Sequence, residues 1–113
     1  YQIVLKAQME ALSYIRSGLE GKAVDKVARD IITEAGYGKF FGHGLGHSVG
    51  IEIHENPRFS PKEPNVIEEG MVLTVEPGIY IPGFGGVRIE DMVIIKDNGI
   101  ENLTHSPKEL IVI

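Results

Sequence analysis

The order of periodicities in the sequence predicts an α+β domain, with helices first and antiparallel strands after them. Three observations carry that reading. Apolar residues recur at helical spacing through residues 3–35. Alternation with a period of two takes over after Gly42. The later apolar runs are separated by Pro-Gly and Asp-Asn-Gly signals, which suit short reversals between neighbouring strands. Helices grouped ahead of turn-linked strands belong to the α+β class.

The elements follow in chain order. Residues 3–17 are predicted as a helix on a stripe of Val4, Ala7, Ala11 and Ile15, widened by Leu5, Met9 and Leu12, with Gly18 and Gly21 as stop and linker. Met9 is expected to pack in the core. Residues 22–35 show the strongest helical pattern. Val24, Val27, Ala28, Ile31, Ile32 and Ala35 form one face, while Lys22, Asp25, Lys26, Arg29 and Glu34 cover the other; Gly36 suits the position after the helix end. Ile51–His54 alternates, so a strand is expected there with Glu52 and His54 on one face, closed by a turn at Asn56-Pro57. Residues 59–69 read as a surface loop. Val72–Ile81 is predicted as a strand with Val72, Thr74 and Glu76 on one face and a bend or bulge at Pro77-Gly78. After a Gly-rich loop at 82–86, Val87–Ile95 is another strand, with Arg88, Glu90, Met92 and Ile94 on one face. A turn at Asp97-Asn98-Gly99 leads to a short strand at 100–103, and the final Leu-Ile-Val-Ile run suits a buried strand.

Composition narrows the function. A chain of 113 residues is one domain or part of one, able to bury roughly 65% of its unfolded surface. Sixteen acidic residues against 11 basic ones, net −5, provide no basic footprint for nucleic acid. The absence of Cys removes thiolate ligands and disulfides, so any metal must be held by His, Asp or Glu. No apolar run approaches the ~20 residues of a membrane span, and a cytoplasmic setting is expected. The chain opens at Tyr1 inside a helical pattern, with no Met and no cap, as expected for a piece of a longer protein.

The chemistry concentrates in Gly42–Pro57, GHGLGHSVGIEIHENP. Three of the four histidines, His43, His47 and His54, lie there among Gly42, Gly44, Gly46 and Gly50. Glycine lets backbone approach a ligand closely, and imidazole is both a common metal ligand and the side chain that titrates near neutrality. Two carboxylates stand out from the solvated majority. Glu76 follows Val75 in an apolar strand, and Glu90 follows Ile89 in another. A lone carboxylate on such a strand is costly unless paired or metal-bound. Arg88, two residues from Glu90 on the same face, makes a structural ion pair the competing explanation. Mixed carboxylate and imidazole donors suit Mn²⁺, Zn²⁺, Co²⁺ or Fe²⁺. His105, among Thr104, Ser106 and Pro107, is read as an ordinary surface residue.

Taken together, HGLGHSVGIEIHE at 43–55 and EEGMVLTVEPGIYIPGFGGVRIED at 68–91, behind a pair of helices, resemble the C-terminal part of a pita-bread (creatinase/aminopeptidase) metallopeptidase. The resemblance is strongest to the Xaa-Pro dipeptidase (prolidase) and Xaa-Pro aminopeptidase (aminopeptidase P) branch. It implies a two-metal centre to which His47, Glu76 and Glu90 contribute. His47 and Glu76 would bind one metal, with Glu76 also moving a proton from the water, and Glu90 would bridge both. His54 would stabilise the tetrahedral intermediate, His43 would contact substrate, and Arg88 would orient substrate or hold Glu90. The resemblance further implies Mn²⁺, with Co²⁺ or Zn²⁺ as alternatives, a peptide substrate with proline in second position, and a homodimer. Two Asp ligands of the family pattern belong upstream of the first helix and have no counterpart in this chain, so the 113 residues alone are expected to be inactive. Methionine aminopeptidases share the His47-to-His54 spacing but lack the HGLGH and VRIED features. Creatinase-like enzymes lack the metal ligands. A non-catalytic pita-bread domain that binds peptides or proteins is the alternative from outside enzymology.

Overall fold

In the computed structural model, which describes residues 1–113, helices α1 (Gln2–Tyr14) and α2 (Gly21–Glu34) pack against each other and cover one face of a sheet. α1 turns Val4, Ala7 and Ala11 inward, and Ile15 follows them from an extended conformation just past the helix end. The helix is shorter than its apolar pattern because Ser17 and Gly18 donate their N–H groups to Lys96 and Ile67 carbonyls instead of continuing the helical ladder. Met9, expected inside, is exposed, and the buried stripe contains Gln8 in its place. α2 buries Val24, Ala28 and Ile32, leaves Val27 and Ile31 half-buried and exposes Ala35. It ends as expected. Gly36 takes φ +92°, Tyr37 N–H donates to Ile32 O and Gly36 N–H to Thr33 O, the paired closure of a Schellman motif. Asp25, assigned by its charge to the outer face, is buried against Arg29.

Seven strands follow: β1 (Gly46–Ser48), β2 (Glu55–Phe59), β3 (Val72–Val75), β4 (Gly78–Ile81), β5 (Gly85–Arg88), β6 (Asp91–Ile95) and β7 (Ile100–Asn102). Five form an antiparallel sheet in the order β2-β1-β3-β6-β7, and β4 and β5 pair separately. Each of the two long strands read from sequence is therefore two strands. The bend expected after Glu76 separates β3 from β4, and a matching break at Ile89-Glu90 separates β5 from β6. The β3/β6 ladder ends at the pair Val75↔Asp91, and the β4/β5 ladder begins again at Gly78↔Arg88. Proline at 77 cannot donate to a ladder, so both chains change sheets at the same level.

Three further expectations are corrected. Ile51–His54 is not a strand. Gly50 N–H donates to Glu52 O and the Glu55 carboxylate accepts Glu52 N–H, which curls the segment into bends and leaves Ile51 and Ile53 exposed. The reversal thus occurs before Asn56-Pro57. That peptide, in cis, lies within β2 at an irregularity where the register passes from His47↔Arg58 to Ser48↔Glu55. Residues 59–69 are more than a surface loop: Phe59 and Ile67 are fully buried, and the buried Glu63 carboxylate accepts Arg58 N–H at 2.6 Å. Finally, Leu110–Ile113 is exposed and forms no strand; the sheet ends at β7.

The core lies between the helices and the sheet. Ala7, Ala11, Ile15, Val24, Ala28 and Ile32 meet Leu73, Val75, Val93 and Ile95, with Phe41, Leu45, Phe59 and Ile67 filling the edges. Because side chains alternate along a strand, the neighbouring positions Thr74 and Met92, directly paired across β3 and β6, point to the opposite face. Glu76 and Glu90 continue those two rows.

Candidate metal centre

A cavity of about 450 Å³ opens on that opposite face, lined by His47, His54, Thr74, Glu76, Arg88 and Glu90 together with Val49, Ile53 and Met92. A second, adjoining recess adds His43, Gly44 and Arg58 around His47, His54 and Glu76. All six residues singled out from the sequence therefore line two connected hollows, whereas His105 stays exposed and outside them.

His47 is held by three local interactions. Its backbone N–H donates to Thr74 Oγ1 at 3.1 Å, and its strand pairs with β2 on one side and β3 on the other. The approach of β1 to β3 demands Gly46, where a Cβ would lie 1.8 Å from Thr74 O. The ring's Nδ1 lies 3.0 Å from Ser48 O. A carbonyl only accepts, so Nδ1 carries a proton and Nε2 is the nitrogen turned toward the cavity. That nitrogen faces Glu76 Oε2 at 3.4 Å. An imidazole whose second nitrogen donates to a backbone carbonyl is in the tautomer and orientation that metal ligation uses. The His54 ring stacks at a tilt beside it, 4.4 Å between centroids. His54 sits there without being on a strand, carried back over β1 by the bent 50–54 segment.

Glu76 is fixed by its own N–H, which donates to Leu45 O at 2.7 Å. Glu90 faces it from the break between β5 and β6 and pairs with Arg88, whose Nε is 3.4 Å from Glu90 Oε2. The Glu90 carboxyl is held above the ordinary carboxylate range, chiefly by desolvation, then by the charge of Glu76 and a hydrogen bond with it; Arg88 and His47 oppose the shift. The Arg88 ion pair, the structural alternative for Glu90, exists, yet it leaves the two glutamates crowding one another. Two carboxylates and an imidazole nitrogen converging in this way fit a divalent cation by donor chemistry. They do not enclose one, since no three His, Asp or Glu side chains come close enough to hold an ion by themselves.

His43 has both ring nitrogens engaged. Nδ1–H donates to Gly44 O at 2.7 Å, and Nε2 accepts from the Tyr80 hydroxyl at 2.8 Å. Tyr80 also reaches the Arg88 guanidinium and is the largest influence raising it above its usual value, ahead of Glu90. Sequence reasoning missed Tyr80, although its place two residues after the Pro77-Gly78 bend, in a strand facing Arg88's, was a usable signal. It also missed Asp25 and Arg29. The Arg29 guanidinium binds Asp25 through Nε and Nη2 and donates to the carbonyls of Phe41 and His43, while Asp25 Oδ1 accepts Leu45 N–H. One buried ion pair on α2 thereby shapes the loop that delivers His43 and His47.

Residues 1–97 match the model of metallopeptidase family M24. The chain belongs to that family. Its structure superposes on the Xaa-Pro dipeptidase from Bacillus anthracis with a TM-score of 0.98 and 54% identity, over 100% of this chain and 32% of that one. The X-Pro aminopeptidase from Thermotoga maritima MSB8 gives 0.95 and 48%, over 99% and 32%. Among curated relatives, the Xaa-Pro dipeptidase of Pyrococcus furiosus is 54% identical over 111 residues, 98% of this chain and 32% of that protein. The chain therefore spans about a third of the length of the M24 relatives it matches, and the α+β arrangement is part of the pita-bread fold. No helix is long and apolar enough to cross a membrane.

Proposed function

We propose that the polypeptide carrying this M24 chain is a metal-dependent peptidase that hydrolyses the bond after an N-terminal residue followed by proline. The observation that carries the reading is the convergence of His47 Nε2 with Glu76, 3.4 Å away, and with Glu90 on one cavity wall. The names of its relatives, Xaa-Pro dipeptidase and X-Pro aminopeptidase, supply the substrate class.

In this proposal His47, Glu76 and Glu90 hold a pair of divalent cations, manganese first, with cobalt or zinc as alternatives, and further ligands come from outside these 113 residues. When bound, such a pair supplies Lewis acidity and lowers the pKa of water. Glu76 accepts the proton that the attacking water gives up. His54, exposed beside His47 and with no hydrogen bond fixing its ring, swings to donate an N–H to the developing oxyanion. His43 meets the substrate where its Nε2 now accepts the Tyr80 hydroxyl. Arg88, half exposed at 52%, holds Glu90 and offers its guanidinium to the substrate. A homodimer and a cytoplasmic setting complete the proposal.

The test is a comparison of substrates with the complete polypeptide and added Mn²⁺. An Xaa-Pro dipeptide should be cleaved and a dipeptide without proline spared, with activity lost on chelation and in Glu76→Gln. Cleavage of a longer peptide with proline in second position would favour the aminopeptidase. Equal turnover of peptides with and without proline would overturn the substrate class.

A further inference from the structure

We propose that Gln8 is a positioning residue for the metal centre: its side-chain amide ties together the two points from which Glu76 and Glu90 leave the sheet. Gln8 is fully buried in α1. Its Nε2 donates to Val75 O and to Ile89 O, each at 3.2 Å. These carbonyls belong to the peptide units immediately preceding Glu76 and Glu90. The orientation of the amide is decided by chemistry, because both neighbours at that end are carbonyl oxygens and only an NH₂ group has two protons to offer them.

The fork between the two chains explains why such a tie is needed. The ladder of β3 and β6 ends at Val75↔Asp91, and beyond it Pro77 has no N–H with which to continue. Glu76 N–H turns away to Leu45 O. Glu76 and Glu90 thus lie where the two strands diverge, past the end of one ladder and short of the next, with no strand pairing of their own to hold them together. A peptide unit is planar, so anchoring its carbonyl also orients the N–Cα bond of the following residue. Gln8 anchors both units at once and opposes the splaying. Its Oε1 is buried with no partner. A buried acceptor left unpaired is costly, and an apolar residue at this core position would avoid that cost. The glutamine is suited to the clamp and poorly suited to plain packing.

The inference rests on the metal-centre reading, and the experiment separates the two. Cobalt(II) and Mn²⁺ affinities of the complete polypeptide are measured by chelator competition, with the visible cobalt spectrum, for wild type, Glu90→Gln and Gln8→Met. Met fills the same volume without donors. Wild type should bind, Glu90→Gln should lose binding, and Gln8→Met should remain folded with affinity reduced about 10–100-fold, the range seen when a group orienting a ligand is removed, and with altered cobalt bands. A role in packing alone would lower the melting temperature and leave affinity and spectrum of the folded variant unchanged, which would overturn the proposal. If wild type binds no metal, the metal-centre reading fails and the clamp falls with it. If Gln8→Met does not fold, the wild-type protein decides by NMR. Both Gln8 side-chain amide protons should be protected from exchange and should shift when metal is added; an unprotected or unresponsive pair would overturn the clamp.

Discussion

At the scale of single residues, the centre is a balance between attraction and crowding. Desolvation and Glu76 push the Glu90 proton affinity up further than Arg88 and His47 lower it. Glu90 is an acid whose folded-state pKa lies above its unfolded value, so the folded, metal-free protein holds its proton more tightly than the unfolded chain does. That contribution is fully present below the unfolded carboxylate value near pH ~4.3, and it is lost as pH rises through the raised folded value. Glu90→Gln removes the titration. Thermal melts of the metal-free variant and wild type should coincide in acid and diverge at neutral pH, with the variant the more stable. A difference independent of pH would mean that the glutamates do not compete.

At the scale of elements, the loop between α2 and β1 does the positioning. Asp25 is 1% exposed, and its carboxylate serves Arg29 and Leu45 N–H together. Removing one partner of a buried pair costs about 3–5 kcal/mol because the other charge is left behind. Asp25→Ala should therefore lower unfolding free energy by about 3 kcal/mol, read from urea denaturation of the complete polypeptide. Residual folded protein should bind metal more weakly, since Leu45 also fixes Glu76 through its carbonyl. A loss below about 1 kcal/mol, the scale of an exposed pair, would show that the pair is not what holds the loop. The same scale explains the two broken strands. Pro77 announces its break in the sequence. The break at Ile89-Glu90 has no proline or glycine to mark it; it is imposed by β4, which can pair only with the stretch before it.

At the scale of the molecule, the residues proposed to bind metal occupy one open wall. His47 and Glu76 are in contact and Glu90 is their neighbour, yet no three donors enclose an ion. We expect the 113-residue chain by itself to show no turnover of an Xaa-Pro dipeptide with Mn²⁺, while the complete polypeptide turns it over. Normal enzymatic turnover by the 113 residues alone would refute this.

Much of the architecture was legible because it depends on local periodicity. The α2 stripe with its Gly36 end, the Glu76 break and the β7 hairpin follow from side-chain spacing and turn chemistry. The grouping of His43, His47, His54, Glu76, Arg88 and Glu90 was also legible through the family resemblance of the motifs around them. The misreadings have a common cause. Ile51 and Ile53, Met9 and the Leu110–Ile113 tail look apolar, yet burial depends on a partner surface, and none of the neighbouring elements provides one. Asp25 and Gln8 look polar, yet they are buried, because folding brings them distant partners: Leu45 N–H, 20 residues from Asp25, and the carbonyls of Val75 and Ile89, 67 and 81 residues from Gln8. Local sequence determined where helices and strands form and which side chains carry chemistry. Tertiary structure alone decided how those side chains face one another, because Glu76 and Glu90 sit where the β3/β6 ladder ends, beside a proline and next to carbonyls bound by a glutamine from another element.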